Sequence, residues 1–452
     1  MTDIMGSAPV PASRARRSSL MAQDALSKRR NAAEARFKIY GIVAIVIAML
    51  ALVWLLISIF SVGLPSFRQT FLTMPIELPA DKLDKSGVRD VAVMSKVTTV
   101  GYAAVIQAAL EKAIKEKGID AGTMTPKDIA GMISLEAPAQ LRNHVLANPE
   151  LVGTAIDFEV LANGRIDGFF KGRVTMESAQ LDSNVKPEQL VLAEKLTEAG
   201  IMAKRFNWGF ITLPDASDQR PEAAGLGVAI IGSFYMMIVV LVLSLPIGVA
   251  ASVYLEEFAP KNRWTDLIEV NISNLAAVPS IVFGILGLAV FINFAGLPQS
   301  APIVGGLVLT LMTLPRIIIP ARAALKSVPP SIRDAALGVG ASRLQSVFHH
   351  VLPLAAPGIL TGMIIGLAQA LGETAPLLLI GMVAFVRDYP GMPIDGLFDP
   401  ASALPVQVFS WTVRGDPGFV ERASGAIIVL LVFMLIMNAI AIILRRRFER
   451  RW

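Results

Sequence analysis

The run LGVAIIGSFYMMIVVLVLSLPIGVA, from Leu226 to Ala250, decides the class of fold because its 25 residues include no charged side chain. A helix of about 20 apolar residues is long enough to cross a hydrocarbon core of roughly 30 Å. Only helices and closed barrels satisfy their backbone in lipid, and the run lacks a barrel's alternation. Five more runs of 20 or more mostly apolar residues are present: Ile39 to Phe60, Asn274 to Phe294, Ala301 to Pro320, Gly358 to Ile380 and Ser424 to Leu444. The sequence therefore predicts an all-α polytopic membrane protein with about six transmembrane helices.

The composition agrees with this class. Hydrophobic residues make up 54% of the chain, charged residues only 17%, and the mean hydropathy is +0.59. Cysteine is absent, which excludes disulfides and thiolate chemistry, and three histidines offer little for a metal centre. The net charge of +5 lies in two blocks beside hydrophobic runs, as expected for contact with anionic membrane lipids rather than nucleic acid. We therefore expect no metal and no cofactor.

Basic residues at the two ends predict the orientation. Residues 1–38 contain eight basic and three acidic side chains, and residues 445–452 contain five basic and one acidic. Because Lys and Arg are enriched on the cytoplasmic side of a membrane, both ends are predicted to be cytoplasmic, which requires an even number of crossings. The first span, residues 39–60, is then a retained anchor, and residues 226–444 hold the other five.

Residues 61–225 are predicted to form an extracytoplasmic α+β domain. Two helices are expected, Tyr102 to Lys117 closed by Gly118 and Pro187 to Ala199 ending before Gly200. Ile156 to Leu161 and Ile166 to Phe170 flank Asn163-Gly164, a pair typical of the tight turn in a β-hairpin. The segment contains no catalytic motif, so the sequence assigns it no role.

The stretch between the fourth and fifth spans, residues 322–356, is predicted to be cytoplasmic. After Pro329-Pro330, Ser331 is expected to cap a short helix, with Asp334 in its first turn. Asp334-Ala335-Ala336 gives this helix a small flat face, which suits docking in another protein's groove. A helix that lies on the lipid headgroups is the alternative, and physical reasoning alone leaves both open.

The same stretch resembles the EAA loop of ABC-importer permeases. Asp334-Ala335-Ala336, three residues, Gly340, nine residues and then His350-Val351-Leu352-Pro353 follow the family pattern, except that Asp334 replaces glutamate and His350 replaces an aliphatic residue. The resemblance implies a coupling helix that docks on a separate ATPase, present in two copies. This chain has no G-x-x-x-x-G-K-[ST] phosphate loop, so we expect it not to be an enzyme.

Two further stretches are similar to phosphate transport permeases of the PstA type: NLAAVPSIVFG from Asn274 to Gly284 and GETAPLL from Gly372 to Leu378. The resemblance covers roughly residues 206–452 and implies the ABC importer permease fold over the last five spans. It also implies inorganic phosphate as substrate, a related second permease, a periplasmic phosphate-binding protein and the bacterial inner membrane. The first span with its large insert resembles an extended subgroup of these permeases.

Other functions remain open at this point. A permease for another oxyanion, such as sulfate or molybdate, would carry the same coupling loop. A secondary transporter would be expected to show inverted repeats and a relay of intramembrane charges, and a membrane-anchored enzyme or sensor would need a motif in the 61–225 domain. Neither feature is found in the sequence. Trp411 and the segment from Arg387 to Arg422 are predicted to form an outer surface suited to a binding protein.

Two intramembrane charges are the candidate path or gate residues. Glu373 is the only ionisable residue between His350 and Arg387, and a carboxylate within a span usually marks a pathway. We interpret it as a gate or as the partner of a basic residue, with a structural ion pair as the alternative. Arg316 could bind an anion through its paired donors, although snorkelling to the headgroups is favoured. Thr374 and Gln369 could hydrogen-bond an ion or bridge helices, and Gln369 stands where many relatives carry arginine.

Overall fold

The computed structural model describes residues 25–84, 87–382, 385–391 and 394–448. The chain divides between Ser58 and Ile59 into two compact units. The first unit consists mainly of the helix α1 (Ala25–Gly63), whose apolar side chains are exposed over the membrane-spanning length. Much of the basic sequence predicted to be cytoplasmic, at residues 1–24 and 449–452, lies outside the described residues.

Residues 61–225, which we name the insert, form a three-stranded antiparallel sheet surrounded by short helices. The central strand β1 (Arg68–Glu77) pairs with β2 (Ala155–Leu161) on one side and β3 (Met202–Phe206) on the other. Leu72, Met74 and Ile76 alternate along β1 and are buried in the core of the insert. The helices are α2 (Ala80–Leu83), α3 (Val91–Met94), α4 (Thr99–Glu116), α5 (Pro126–Ala130), α6 (Ala137–Ala147), α7 (Gly164–Phe170), α8 (Met176–Leu181), α9 (Pro187–Glu198) and α10 (Trp208–Thr212).

The α+β class of the insert is confirmed, and so are the helices α4 and α9. Each is followed by a glycine with positive φ, Gly118 at +64° and Gly200 at +76°, as the sequence predicts. The predicted hairpin at Asn163-Gly164 is wrong. The side chain of Asn163 instead accepts a hydrogen bond of 2.8 Å from the N–H of Arg165 and begins α7. Asparagine favours both tight turns and helix N-termini, so the local sequence could not separate these outcomes.

The remaining helices form the transmembrane part and its connections. Among the described residues, five helices including α1 are long and apolar enough to span a membrane, and a bent pair makes a sixth if it counts as one span. The helices are α11 (Gly227–Val253), α12 (Arg263–Ala276), α13 (Ser280–Gly287), α14 (Pro302–Ser327), α15 (Pro330–Gly338), α16 (Arg343–Ser346), α17 (Leu352–Gly372), α18 (Ala375–Leu379), α19 (Leu404–Thr412) and α20 (Pro417–Phe448).

Two predicted spans are not continuous helices. The span Asn274 to Phe294 is bent by 101° between α12 and the helix that starts at Ser280, because Pro279 disfavours helical backbone at Val278. The span Gly358 to Ile380 ends early, at Gly372, and Glu373 has the extended dihedral angles φ −76° and ψ 128°. Pro376 would clash with the carbonyl of Gly372 in a continued helix. Both breaks lie inside the two PstA-like stretches.

Helix α14 lies at the centre of the transmembrane part and packs closely against α11 and α17. Glycines allow this approach: a Cβ on Gly306 would lie 2.5 Å from Val239, and one on Gly362 would lie 2.6 Å from Pro320. The apolar core between these helices includes Val304, Val308 and Met312. At about 1.5 Å per residue, the 26 residues of α14 extend about 39 Å. The insert lies at the end where α14 begins, and α15 lies at the end where it stops.

Candidate functional site

Glu373 lies at the break between α17 and α18 rather than in the middle of a helix, where the sequence placed it. Gly372 ends α17, and the carbonyl of Thr374 accepts the first backbone bonds of α18, from the N–H groups of Leu377 and Leu378. The side chain of Glu373 is 19% exposed. A carboxylate at a break in a helix, rather than inside one, is tolerated in membranes where it faces protein or a water-filled cavity.

Arg316 is the basic partner of Glu373. Its Nη1 lies 3.9 Å from Oε1 of Glu373, and the arginine side chain is 23% exposed. The same Nη1 is buried and has no hydrogen-bond partner among the described residues. The favoured snorkelling interpretation is therefore wrong, because the guanidinium faces the break at the end of α17. Pro315 precedes Arg316 within α14, so the backbone on this helix is also weakened at that point.

Gln369 and Thr374 flank Glu373. Gln369 is exposed in the last turn of α17, four residues before Glu373. Thr374 is half-buried at the start of α18. Gly366, one turn further back, packs against Thr313, with a hypothetical Cβ at 3.1 Å. Arg316 and Glu373 thus meet where α14, α17 and α18 converge, with Thr374 next in the chain and Gln369 in the last turn of α17.

The predicted coupling residues lie on and around α15. This helix begins at Pro330 with Pro329 as its N-cap residue, so Ser331 does not cap it. Asp334 and Ala335 are exposed, Ala336 is buried, and Gly340 has a φ of +89° that closes the turn after the helix. Leu352 and Pro353 form the half-buried start of α17. The exposed face also includes Leu337 and Val339, which are 46% and 86% exposed and which the sequence analysis did not single out.

A bidentate ion pair fixes α15 to the end of α11. Nε and Nη2 of Arg333 donate to the Glu257 carboxylate at 3.2 and 2.6 Å, and Arg333 also donates to the carbonyls of Val328 and Leu325. The bond with Glu257 raises the pKa of Arg333 above its ordinary value. Glu257 belongs to a π-helical turn that extends α11 to Phe258. The sequence could not reveal this pair, because its members lie 76 residues apart.

Arg322 makes a second connection on the same side. Its Nη2 lies 2.6 Å from Glu269 on α12 and 3.4 Å from Glu256 after α11. Together the two arginines connect the end of α14 and the start of α15 to the neighbouring helices α11 and α12.

The insert is joined to α20 by a buried group of charges, the junction ion cluster, formed by Asp167, Lys171, Arg173, Glu222, Glu421 and Arg422. Lys171 lies 2.8 Å from Asp167 and 2.7 Å from Glu421. Arg422, which is 2% exposed, donates to the Gln69 side chain at 2.5 Å and to the Glu222 carbonyl at 3.0 Å. Burial raises the pKa of Glu222, which accepts a 2.6 Å bond from Ser134.

Trp411 is not part of an outer surface, contrary to the prediction. It is fully buried, and its Nε1 donates to Asp215 of the insert at 2.8 Å. Arg414 pairs with the same carboxylate at 2.8 Å. Phe210, Trp411 and Phe419 belong to one apolar cluster shared by the insert and the transmembrane helices. The insert therefore buries Trp411 and much of Arg414 in the Arg387 to Arg422 segment, in which Phe409 and Val413 remain exposed.

The transmembrane part matches a known protein family. The family described as "Binding-protein-dependent transport system inner membrane component" matches residues 244–452. A probable ABC transporter permease protein of Bacillus subtilis, YqgI, is 33% identical over 230 residues, which is 48% of this chain and 78% of that protein. This chain belongs to the ABC importer permease family. A domain of unknown function, DUF3333, matches residues 24–180 of this permease, which include most of the insert.

The phosphate transport system permease protein PstA 2 of Mycobacterium tuberculosis is 31% identical to this permease over 251 residues, or 55% of this chain and 79% of that protein. A solved inward-facing methionine ABC transporter aligns with 50% of this chain at 16% identity and a TM-score of 0.38.

Proposed function

We propose that this chain is a permease subunit of an ATP-driven importer for inorganic phosphate. The observation that carries the proposal is the similarity to several PstA phosphate permeases, at 28% to 31% identity across the transmembrane part. The stretch Gly372 to Leu378 lies at the point where Arg316 meets Glu373, so the PstA-like sequence and the intramembrane charges coincide.

Arg316 is the proposed anion contact in the translocation path. A guanidinium presents paired donors that match phosphate oxygens, and Nη1 of Arg316 has no hydrogen-bond partner among the described residues. Glu373 holds this guanidinium at the break and repels phosphate itself, so its role is that of a gate or positioning partner. Thr374 and Gln369 supply neutral hydrogen-bonding groups beside them.

The coupling surface is proposed to be the exposed part of α15 with Asp334, Ala335, Ala336 and Gly340, followed by Leu352 and Pro353. It would dock on a separate ABC ATPase, which is present in two copies in the assembled transporter. This chain would hydrolyse no ATP itself. The exposed apolar side chains of Leu337 and Val339 favour a protein partner over a purely structural helix. A related second permease and a periplasmic phosphate-binding protein complete the proposed complex.

The proposed location is the bacterial inner membrane, with both termini and α15 in the cytoplasm and the insert in the periplasm. The basic residues of the two terminal segments support this orientation. The insert and α15 lie towards opposite ends of α14, which is consistent with their placement on opposite sides of the membrane.

Uptake by the reconstituted complex tests the function. We expect ATP-dependent uptake of phosphate to exceed that of sulfate and molybdate in proteoliposomes that contain this chain and its partners. Preferential uptake of sulfate or molybdate would show that the substrate assignment is wrong.

Variants test the path residues in the same assay. Arg316→Gln is expected to lower phosphate uptake at least about tenfold, equivalent to about 1.4 kcal/mol. Arg316→Lys is expected to retain an intermediate rate of uptake, because an ammonium keeps the positive charge but lacks the paired planar donors of a guanidinium. Lys326→Gln, a change at an exposed residue of α14, is the matched control. Normal phosphate uptake by an assembled Glu373→Gln complex would exclude a role for that charge.

A further inference from the structure

A cleft of about 450 Å³ lies where the insert meets the transmembrane part, and we name it the junction cleft. Glu136, Gln140 and Asn143 line it from the insert, Arg220 from the segment that leads into α11, and Phe385 and Arg387 from the connection after α18. Glu136 pairs with both arginines, and its distance to Arg387 is 3.1 Å. The carboxylate therefore ties three separate segments together.

The insert covers some of the side chains that the loops of the transmembrane part present at this end. Trp411 is fully buried, the side chain of Arg414 is 15% exposed, and that of Glu421 is 5% exposed. The hydroxyl of Tyr389 donates to the carbonyl of Thr212. The insert and the junction cleft therefore form part of the surface that a protein meets at this end of the helices.

The lining of the junction cleft has the composition of a protein interface. Phe385 is 47% exposed and the Arg387 side chain is 56% exposed, and aromatic residues and arginine are enriched at protein–protein contacts. Gln140 and Asn143 add amide groups that can donate and accept. Arginines and carboxylates are mixed in this lining, so the cleft is not suited to binding free anions.

The junction cleft is also close in sequence to the candidate gate. Phe385 follows Glu373 by twelve residues, with the short helix α18 between them. A partner bound in the cleft would therefore press on the connection that continues from the break at Glu373.

We propose that the junction cleft is the docking site for the substrate-binding protein of this transporter, and that the insert supplies half of it. The inference rests on the proposed function for the existence and side of that partner. The family is described as dependent on a binding protein, and the junction cleft lies on the side predicted to be periplasmic, where that protein would be found. The part of the binding protein that enters the cleft would be a small polar protrusion that hydrogen-bonds to Gln140, Asn143 and Arg387.

Site-specific crosslinking in the assembled complex tests the docking site. A photo-crosslinking residue is placed at Asn143, at the cleft, and for comparison at Lys195, on the α9 face of the insert beside a different cleft. Purified substrate-binding protein is then added to proteoliposomes. We expect a saturable crosslink to that protein from position 143 and none from position 195. Equal labelling at both positions, or none at 143, would overturn the proposal.

A functional arm uses the double substitution Gln140→Trp and Asn143→Trp, which fills the cleft without touching the bonds of Glu136. Stimulation of ATP hydrolysis by the binding protein is expected to fall at least about tenfold, equivalent to about 1.4 kcal/mol, with basal hydrolysis unchanged. Lys195→Trp is the control and keeps full stimulation. Undiminished stimulation in the double variant would also overturn the proposal. If the crosslink forms at 143 but phosphate is not transported, docking stands and the phosphate assignment fails.

Discussion

Glu222 is a carboxylate that the fold buries beside both ionic and neutral partners. It is 6% exposed, it accepts a bond from Ser134, and its backbone carbonyl binds Arg422. Gly164 leaves room for its Oε2, since a Cβ there would lie 2.7 Å from that oxygen. Asp167 adds a like charge nearby, while Arg422 acts in the opposite direction.

The raised pKa of Glu222 makes the junction sensitive to pH. Because the folded pKa lies above the ordinary value of 4.5, the ionised form is the costly one in the folded protein. The folded state then binds more protons than the unfolded state, so Glu222 costs stability at neutral pH, and this cost disappears as the pH falls towards 4.5. Glu222→Gln, which keeps an acceptor for Ser134, is expected to unfold at a higher temperature than wild type at pH 7.

The measurement is the thermal midpoint of the purified protein in detergent between about pH 5 and about pH 8, a range that lies above the ordinary pKa of a glutamate. The gap between Glu222→Gln and wild type should narrow as the pH falls. Glu188→Gln, at an exposed carboxylate of α9, should follow the wild-type curve. A constant gap across the range would contradict the assignment of the effect to titration.

The central core depends on the close packing of α17 on α14. Gly358 faces Ala324, Gly362 faces Pro320 and Gly366 faces Thr313, with one helical turn between successive glycines. Gly362→Leu would place its Cβ within 2.6 Å of the Pro320 ring, so one helix must shift. We expect a loss of about 1–3 kcal/mol, as for other overpacked cores, seen as a lower thermal midpoint.

Gly41→Ala is the matched control for this change. It lies in α1, and a Cβ there meets nothing within 4 Å. Alanine favours helix over glycine, so this variant should be as stable as wild type or slightly more stable. An unchanged midpoint for Gly362→Leu would mean that α14 and α17 do not pack as closely in the protein as described here.

The pair Arg333–Glu257 is expected to transmit movement of α15 to α11. Glu257→Gln removes the charge but leaves the size of the side chain, so the ATPase should still bind while α15 is less firmly held. We expect phosphate transported per ATP hydrolysed to fall by about tenfold. The reversed pair, Glu257→Arg with Arg333→Glu, should recover part of this ratio. Equal coupling in Glu257→Gln and wild type would show that the pair is only structural.

The sequence predicted long apolar elements well and their interruptions poorly. A span such as Leu226 to Ala250 is determined by composition, so its existence could be read directly, and the structure places α11 there. The break at Glu373 depends on Pro376 and on the partner Arg316, which lies on another helix and cannot be seen locally. Asn163 shows the same limit within the insert, because tertiary packing decided between a turn and a helix start. Pairs such as Arg333–Glu257 carry no local signal.

At the scale of the whole molecule, the insert is bound to the transmembrane helices by both charge and apolar contact. Arg422 reaches Gln69 and the carbonyls of Ser66 and Glu222, and its guanidinium lies 5.0 Å from the Phe210 ring. Phe210 and Phe419 share the apolar cluster at the same place. Arg422 is 2% exposed, and removal of a buried cation from the carboxylates around it typically costs about 3–5 kcal/mol. The insert and α20 are therefore expected to move as one body.

The topology gives the last prediction, because the absence of cysteine allows single labels on an otherwise unreactive chain. Asn143 on the insert and Val339 after α15 are both exposed, and they lie towards opposite ends of α14. In intact cells whose outer membrane has been made permeable, Asn143→Cys should react with a membrane-impermeant maleimide, whereas Val339→Cys should react only after the inner membrane is opened. Both side chains are exposed, Asn143 on α6 and Val339 after α15, so neither change should disturb the fold of the chain. Labelling of Val339→Cys alone in closed cells would place the insert in the cytoplasm, and both the predicted orientation and the docking of a periplasmic binding protein on the junction cleft would then be wrong.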